Sequence, residues 1–96
     1  MRVTVTIQAV VKQDLYGDLE KFLADNLANV RAFSGALNVS VLLNEQTSDF
    51  LIYEEWLSED LHQAYIKAIS ENGVLGQLAT FFEDAPTIKY DEKEDI

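Results

Sequence analysis

The sequence predicts an α+β sandwich of the ferredoxin-like type, with two helices on one face of an antiparallel sheet. Three observations predict it: hydrophobic residues alternate with period two in the strand candidates, they recur every three or four residues in two longer stretches, and the elements follow the order β-α-β-β-α-β with a short extra helix. A chain of 96 residues forms one domain. We expect this domain over residues 1–90, followed by an acidic tail over residues 91–96.

The first strand and the first helix are predicted from the N-terminal third of the chain. Apolar residues alternate with Thr and Gln from Val3 to Val11, a pattern typical of a strand rich in β-branched residues. Asp14 is a candidate N-cap for the helix that follows. The helix ends at Ser34-Gly35, and its apolar stripe comprises Leu15, Leu19, Phe22, Leu23, Leu27, Val30 and Phe33.

The second and third strands are predicted to pair as antiparallel neighbours. The second alternates from Leu37 to Leu43, with Leu37, Val39, Val41 and Leu43 on one side. A polar connection from Asn44 to Asp49 is short enough for a hairpin into the third strand, Phe50 to Trp56. In that strand Phe50, Ile52, Glu54 and Trp56 share one face, while Leu51, Tyr53 and Glu55 share the other.

The second helix is predicted to begin at Ser58, whose side chain suits the N-cap, with Glu59 and Asp60 in the first turn where the helix dipole favours negative charge. Its apolar stripe is interrupted near Asn72-Gly73, and a shorter helical piece follows before Pro86. Thr87 to Tyr90 is predicted as the last strand.

Composition excludes several classes of function. The formal net charge is −10, with only seven Lys and Arg residues, which disfavours nucleic acid and anionic membranes as partners. The sequence contains neither a secretory signal pattern nor an apolar run of membrane-spanning length, so we expect a cytoplasmic protein. With no Cys, one His and no calcium-loop spacing, no metal site is predicted.

Apolar residues fall on both faces of the predicted sheet. Val10, Leu42, Leu51 and Tyr53 have the parity opposite to Ile7, Val41, Ile52 and Trp56. The helices cover one face only, so a second copy of the sheet is expected to cover the other and form a homodimer. The alternative is a partly polar face in contact with solvent.

Three segments resemble the antibiotic biosynthesis monooxygenase (ABM) domain family and occur in the same order as in that family. The resemblance spans nearly the whole chain. The segments are Phe33 to Val39, Phe50 to Trp56 and Ser58 to His62, and their most specific parts are Gly-x-Leu at Gly35 to Leu37 and Glu-x-Trp at Glu54 to Trp56. The resemblance implies a dimeric α/β barrel in which two sheets face each other. It also implies a pocket in each protomer between sheet and helices.

The resemblance implies several possible activities. Some members of the family oxygenate quinols or polyketide phenols without metal or flavin, while relatives degrade heme or isomerise signalling sugars, so the fold alone does not settle the function. The heme-degrading relatives use an Asn on the first strand, a Trp ending the third and a His in the next helix. Here Trp56 matches, but Gln8 replaces the Asn and Ile66 occupies the helical position. The sequence therefore does not favour heme degradation.

Cofactor-free oxygenation needs a group that takes the substrate proton in a dry cavity. His62 is the first candidate because its ordinary pKa lies nearest neutrality, with an exposed or helix-capping role as the alternative. Glu54 is a second acid–base candidate if burial raises its pKa; otherwise it pairs with a cation or caps a backbone amide. Tyr65 shares the helical side of His62 and can hydrogen-bond a phenol or quinone oxygen, or simply pack with its hydroxyl in water.

Four further residues are candidates for binding the substrate. Trp56 can stack on an aromatic ring, or simply fill the core. Tyr53 can hydrogen-bond a substrate oxygen or lie at the dimer face. Gln8 and Asn38 offer strand amides that orient a ligand or bond across an interface.

The sequence thus predicts a homodimeric, cofactor-independent monooxygenase that acts on a small aromatic quinol or phenol. The alternative is a noncatalytic dimeric domain that binds a small apolar ligand or supports assembly.

Overall fold

The computed structural model describes residues 2–92 and 94, and it has the predicted α+β architecture. The elements are β1 (Val3–Val10), a 3-10 turn (Gln13–Leu15), α1 (Tyr16–Arg31), β2 (Ala36–Asn44), β3 (Asp49–Trp56), α2 (Glu59–Glu71), α3 (Val74–Ala79) and β4 (Thr87–Glu92). The four strands form one sheet in the order β2-β3-β1-β4, and each neighbouring pair is antiparallel. The ferredoxin-like prediction is confirmed.

The core lies between the inner face of the sheet and the helices. The inner residues of β3 are all buried, so the predicted parity of Phe50, Ile52, Glu54 and Trp56 is confirmed. Alternate residues of β1 pack against them, because every second side chain of a strand points to the same face. One apolar stripe of α1 also packs against them, because residues three or four apart in a helix lie on the same side. The buried core residues from these two elements are Val3, Val5, Ile7, Leu19, Phe22, Leu23 and Val30.

Several boundaries differ from the sequence prediction. Asp14 lies in the 3-10 turn and does not cap α1, which begins at Tyr16 without a side-chain cap and ends at Arg31, before Ser34-Gly35. Leu37 is 42% exposed because the register of β2 shifts between Ala36 and Asn38, which takes Leu37 out of the alternation.

The last strand continues into the predicted acidic tail. Asp91 and Glu92 pair with Thr4 and Val3, so main-chain hydrogen bonding extends β4 beyond the predicted end at Tyr90. Polar side chains suit this position because β4 is an edge strand. Three other residues of the predicted tail, Lys93, Asp95 and Ile96, lie outside the described residues.

The outer face of the sheet is only partly apolar. Leu42 pairs with Leu51, and Leu42 is 58% exposed. The other residues on this face are mostly polar or charged. Thr6 and Ser40 pair with Tyr53 on either side, and Thr4 and Asn38 pair with Glu55. Within the described residues no helix combines the length and apolar character needed to cross a bilayer.

Gly35 fixes how the chain enters β2 beneath α2. Its φ is +94°, and its carbonyl accepts a hydrogen bond of 2.9 Å from the Leu57 amide at the end of β3. A Cβ at this position would lie 2.6 Å from Leu61 Cδ1 and 2.8 Å from Leu61 Cβ. Position 35 therefore needs glycine both for its left-handed backbone and for the approach of Leu61.

We predict that Gly35→Ala lowers the free energy of unfolding more than Gly73→Ala does. Gly73 also has a left-handed φ, +86°, but a Cβ there would meet nothing within 4 Å. Both variants incur backbone strain of about 1–2 kcal/mol, and only Gly35→Ala adds a steric clash costing roughly 1–3 kcal/mol more. Urea unfolding of the two variants measures the difference. Equal losses of stability would contradict the proposed contact with Leu61.

Candidate active site

The junction between β3 and α2 brings four of the predicted site residues together. Glu54 and Trp56 point inward from the end of β3, and Ser58 caps α2 by accepting a hydrogen bond of 3.2 Å from the Leu61 amide. This cap starts the helix at once, so His62 and Tyr65, three residues apart, lie on its inner side. The Trp56 ring centroid lies 5.2 Å from that of His62 and 5.5 Å from that of Tyr65.

The Glu54 carboxylate is the buried acid of this cluster. Glu54 is 2% exposed, and the Trp56 indole Nε1 donates to its Oε1 at 2.6 Å. His62 Nε2 lies 3.5 Å from the same oxygen, which is longer than an ordinary hydrogen bond. Glu54 therefore pairs with an indole N–H and an imidazole, and not with the cation or backbone amide considered in the sequence analysis.

Tyr90, which the sequence analysis did not select, contacts His62 on the side of the ring away from Glu54. His62 is 0% exposed, which rules out an exposed role. Its Nδ1 lies 2.7 Å from Tyr90 Oη, and Gln63 Nε2 donates to the same Oη at 3.1 Å. Tyr90 on β4 pairs with Val5 on β1, and Val5 pairs with Glu54 on β3. Tyr90 and Glu54 therefore lie level with each other, one strand apart, on the same side of the sheet.

Burial determines the protonation states. It lowers the pKa of His62 from 6.5 to about 4, so the imidazole is neutral at pH 7. Burial raises the pKa of Glu54, and the Trp56 hydrogen bond opposes that rise. Burial, together with the nearby charge of Glu54, raises the pKa of Tyr65 to about 12. Tyr65 is therefore a hydrogen-bond donor at neutral pH.

A small cavity lies against this cluster, between the sheet and the helices. Its volume is about 40 Å³, and Glu54 and Tyr65 form part of its wall. The rest is almost entirely apolar: Phe22, Leu23, Asn26, Leu27, Val30, Val39, Ile52, Ile69, Val74 and Leu78. A cavity of about 150 Å³ holds benzene, so this cavity holds water but not an aromatic ring unless it opens. His62 lies behind Glu54 and does not line it.

Solved structures share this fold, although no protein-family model and no curated protein matches the sequence. Rv0793 from Mycobacterium tuberculosis has a TM-score of 0.85 at 12% identity, over 100% of this chain and 98% of its own. An antibiotic biosynthesis monooxygenase has a TM-score of 0.84 at 11% identity, over 96% of this chain and 98% of its own. This chain has the ABM fold. The protomer fold implied by the sequence resemblance is confirmed, and the dimeric α/β barrel stays a prediction.

One structure with the ABM fold carries a ligand. It is a monooxygenase from the gene ActVA-Orf6 of Streptomyces coelicolor, in complex with nanaomycin D. Its TM-score is 0.78 at 13% identity, over 98% of this chain and 88% of its own. At this identity the likeness concerns the fold.

In this ABM fold the other three predicted site residues lie on the outer face of the sheet. Tyr53 lies between Thr6 and Ser40 and donates to Glu55 at 3.3 Å, and Asn38 pairs with Glu55. Gln8 pairs with Leu51 and is exposed. The structure therefore groups Glu54, Trp56, His62 and Tyr65 and separates Gln8, Asn38 and Tyr53 from them.

A larger depression of about 530 Å³ lies at the end of β1 that carries Gln8. Its lining includes Asp49 and Asp84, but both carboxylates are exposed and its only buried side chain is Phe50. Within the described residues, no group of three or more metal-binding side chains is arranged to hold an ion. Perturbed titratable groups gather at the small cavity, so the small cavity is the better candidate for chemistry.

We predict that acid destabilises the wild type more than His62→Gln. The folded pKa of His62 lies near 4 and its ordinary value is 6.5, so between these pH values the unfolded chain binds a proton that the folded chain does not. The free energy of unfolding therefore falls as pH drops from 6.5 to 4, by about 3 kcal/mol from this group. Glu54 acts in the opposite direction, since its raised pKa favours the folded state at low pH.

Urea unfolding of both proteins between pH 4 and 7 measures this effect. The comparison uses the slope of stability against pH, because His62→Gln also removes packing. Parallel slopes would show that His62 is not kept neutral by burial.

Proposed function

We propose that this protein is a cofactor-independent monooxygenase that acts on a small aromatic quinol or phenol in the cavity between the sheet and the helices. One observation carries the proposal: a buried carboxylate, Glu54, stands in the wall of an almost entirely apolar cavity that Tyr65 also lines. An acid–base group in a water-poor site is what oxygenation through a substrate anion requires. The complex of the Streptomyces coelicolor monooxygenase with nanaomycin D shows that a protein of this fold binds a small molecule, which supports a small-molecule substrate here.

The first step is proton transfer from the substrate to Glu54. Burial raises the pKa of this carboxyl group and so brings it closer to that of a phenol, which is near 10. Tyr65 stays protonated and donates to the substrate oxygen, because its own pKa is about 12. Trp56 holds the carboxylate through its indole N–H, and its ring packs beside Tyr65, which lines the cavity. His62 supports Glu54 from behind.

The substrate anion then supplies the electron that reduces oxygen. One electron passes from the anion to O₂, and the resulting substrate radical and superoxide combine at a ring carbon to form a peroxide anion. The peroxide takes up the proton held by Glu54. Loss of the remaining hydrogen on that carbon with cleavage of the O–O bond releases water and leaves a carbonyl. One oxygen atom ends in the quinone and the other in water, so the reaction balances without another reductant.

Entry of an aromatic ring requires the cavity to enlarge, and α3 is the wall that moves most easily. α3 has six residues and none is buried. It is separated from α2 by the Asn72-Gly73 break, where Gly73 has a left-handed φ of +86°. A short helix with little buried surface opens at low free-energy cost. Displacing Val74 and Leu78 widens the cavity and leaves Glu54 in place.

The second candidate is a noncatalytic domain that binds a small apolar ligand. The volume of the cavity, about 40 Å³, favours it, because the closed form has no room for an aromatic substrate. Oxygen uptake with a panel of hydroquinones and anthrones separates the two candidates. Uptake that persists after chelation of metals supports the oxygenase, and binding without turnover supports the ligand-binding domain.

We predict that Glu54→Gln lowers turnover at least 10²-fold, while Glu55→Gln leaves it unchanged. Gln keeps the shape of Glu54 and an acceptor for Trp56 but cannot take a proton, and positioned acid–base catalysis is commonly worth about 10²–10⁴-fold. Glu55 lies next in the chain on the outer face. Oxygen uptake with an active quinol measures both variants.

Thermal unfolding is the control for this pair. Glu54→Gln removes a buried charge, so its melting temperature should not fall. A stable Glu54→Gln variant with wild-type turnover would remove Glu54 from the mechanism.

We also propose that two copies pair across the outer face of the sheet, as the ABM resemblance implies. Leu42 and Leu51 are cross-strand neighbours there, and Val10 on the same face is exposed. Burial of these side chains would favour association by roughly 25 cal/mol per Å² of apolar area.

We predict that Leu42→Glu shifts a dimer toward monomer, while Leu57→Glu does not. The two leucines are similarly exposed, at 58% and 50%, but Leu57 follows β3 and lies outside the sheet. A charge at position 42 would be buried unpaired between the two sheets. Sedimentation velocity at micromolar concentration measures the association. A wild-type monomer, or equal effects of the two substitutions, would refute pairing through this face.

A further inference from the structure

Hydrogen bonds link Gln63 at the surface to the buried His62 through Tyr90, and the far side of the His62 ring faces the Glu54 carboxylate. Gln63 Nε2 donates to Tyr90 Oη at 3.1 Å, so the hydrogen in this bond belongs to the Gln63 amide. The single hydroxyl hydrogen of Tyr90 is then available to His62 Nδ1, 2.7 Å away. A neutral imidazole that accepts at Nδ1 carries its proton on Nε2. This Nε2–H faces Glu54 Oε1 across 3.5 Å.

We propose that Tyr90 is a positioning residue, which fixes His62 as the Nε2–H tautomer so that this N–H holds Glu54 as the anion that serves as base. The role of Tyr90 in catalysis rests on the proposed function, but its effect on the tautomer of His62 and the charge of Glu54 is present without a substrate. The unpartnered state of His62 Nε2 supports it, because a buried N–H without an acceptor at hydrogen-bond distance is drawn to the nearest carboxylate oxygen.

The opposite tautomer would have the opposite effect on Glu54. With the proton on Nδ1, Tyr90 would receive two N–H groups, and the lone pair of Nε2 would face the carboxylate. A lone pair beside an anion is repulsive, so Glu54 would take up a proton and donate it to Nε2. The tautomer of His62 and the charge of Glu54 are therefore coupled.

Few other groups can set the charge of Glu54. From β3 the Trp56 indole donates to it, and from α2 Tyr65 lies near enough for the charge of Glu54 to help raise the pKa of its hydroxyl. Tyr90 faces it from β4, and Glu59 at the start of α2 interacts with Tyr90. Within the described residues, no Lys or Arg pairs with Glu54, and the ionisable side chain nearest to its Oε1 is the neutral imidazole of His62 at 3.5 Å. Because Trp56 and Tyr65 have no tautomers, His62 is the variable member.

Nitrogen-15 NMR of the single His tests the first half of the proposal in the wild type. At pH 7 we expect a neutral ring with the protonated-nitrogen shift at Nε2 and the lone-pair shift at Nδ1. A neutral ring protonated at Nδ1 would overturn the proposal without any variant.

Tyr90→Phe tests the second half, with Tyr16→Phe as the matched control. Phe removes only the hydroxyl, so we expect the Nε2–H signature to weaken and the titration midpoint of Glu54, followed by carboxyl carbon-13 NMR, to rise by about one pH unit. Tyr16 lies at the start of α1 near Glu20 and Glu45, so its variant should change neither signal. An unchanged tautomer and midpoint in a folded Tyr90→Phe protein would overturn the proposal.

The NMR signals test the role of Tyr90 separately from the proposed oxygenase activity. The NMR shifts are measured without substrate or oxygen, so they can appear as expected even if no quinol is oxidised. If turnover is found, Tyr90→Phe should move the rising limb of its pH profile upward by the same amount as the Glu54 midpoint. A fall in turnover at all pH values with an unmoved limb would show that Tyr90 contributes only structure.

Discussion

The burial of one carboxylate constrains the rest of the helix-facing core. Glu54 stands among Val39, Ile52 and Trp56, where a charged group without partners would cost several kcal/mol. The indole of Trp56 supplies one short hydrogen bond, and an imidazole stands beside it. Each partner must itself be buried and oriented. The aromatic cluster of Phe33, Trp56 and Tyr65 is therefore part of the environment that sets the charge, as well as part of the core.

The backbone of the β3–α2 junction makes this arrangement possible. Residues two apart in a strand share a face, so Glu54 and Trp56 point together without any special loop. The Ser58 cap then starts α2 within two residues of the strand, which brings His62 against the Trp56 ring. Gly35 lets β2 begin directly beneath Leu61, so α2 sits close to the sheet. The position of His62 relative to Glu54 therefore depends on the strand end, the Ser58 cap and Gly35 together.

Local patterns made much of this site predictable, and long-range pairing explains what was missed. The parity of Glu54 and Trp56, the Ser58 cap and the helical side shared by His62 and Tyr65 depend only on neighbours in sequence. Tyr90 lies 28 residues from His62, and only the pairing of β4 with β1 brings them together. The register shift near Leu37 was also missed, because it depends on how β2 pairs with β3. The cap at Asp14 failed for a local reason, since Gln13–Leu15 form a 3-10 turn and α1 begins only at Tyr16.

Charge conservation explains why a single buried carboxylate suits the proposed reaction. The formal net charge of −10 disfavours the approach of anions, so a phenol enters most readily in its neutral form. Inside the cavity, transfer of its proton to Glu54 moves one negative charge from the carboxylate to the substrate and creates no new one. The free-energy cost of desolvating a negative charge in this cavity arises when the protein folds and buries Glu54, and the same burial raises the pKa of Glu54. In the proposed reaction the substrate anion therefore forms inside an almost entirely apolar cavity, where its electron is available to oxygen.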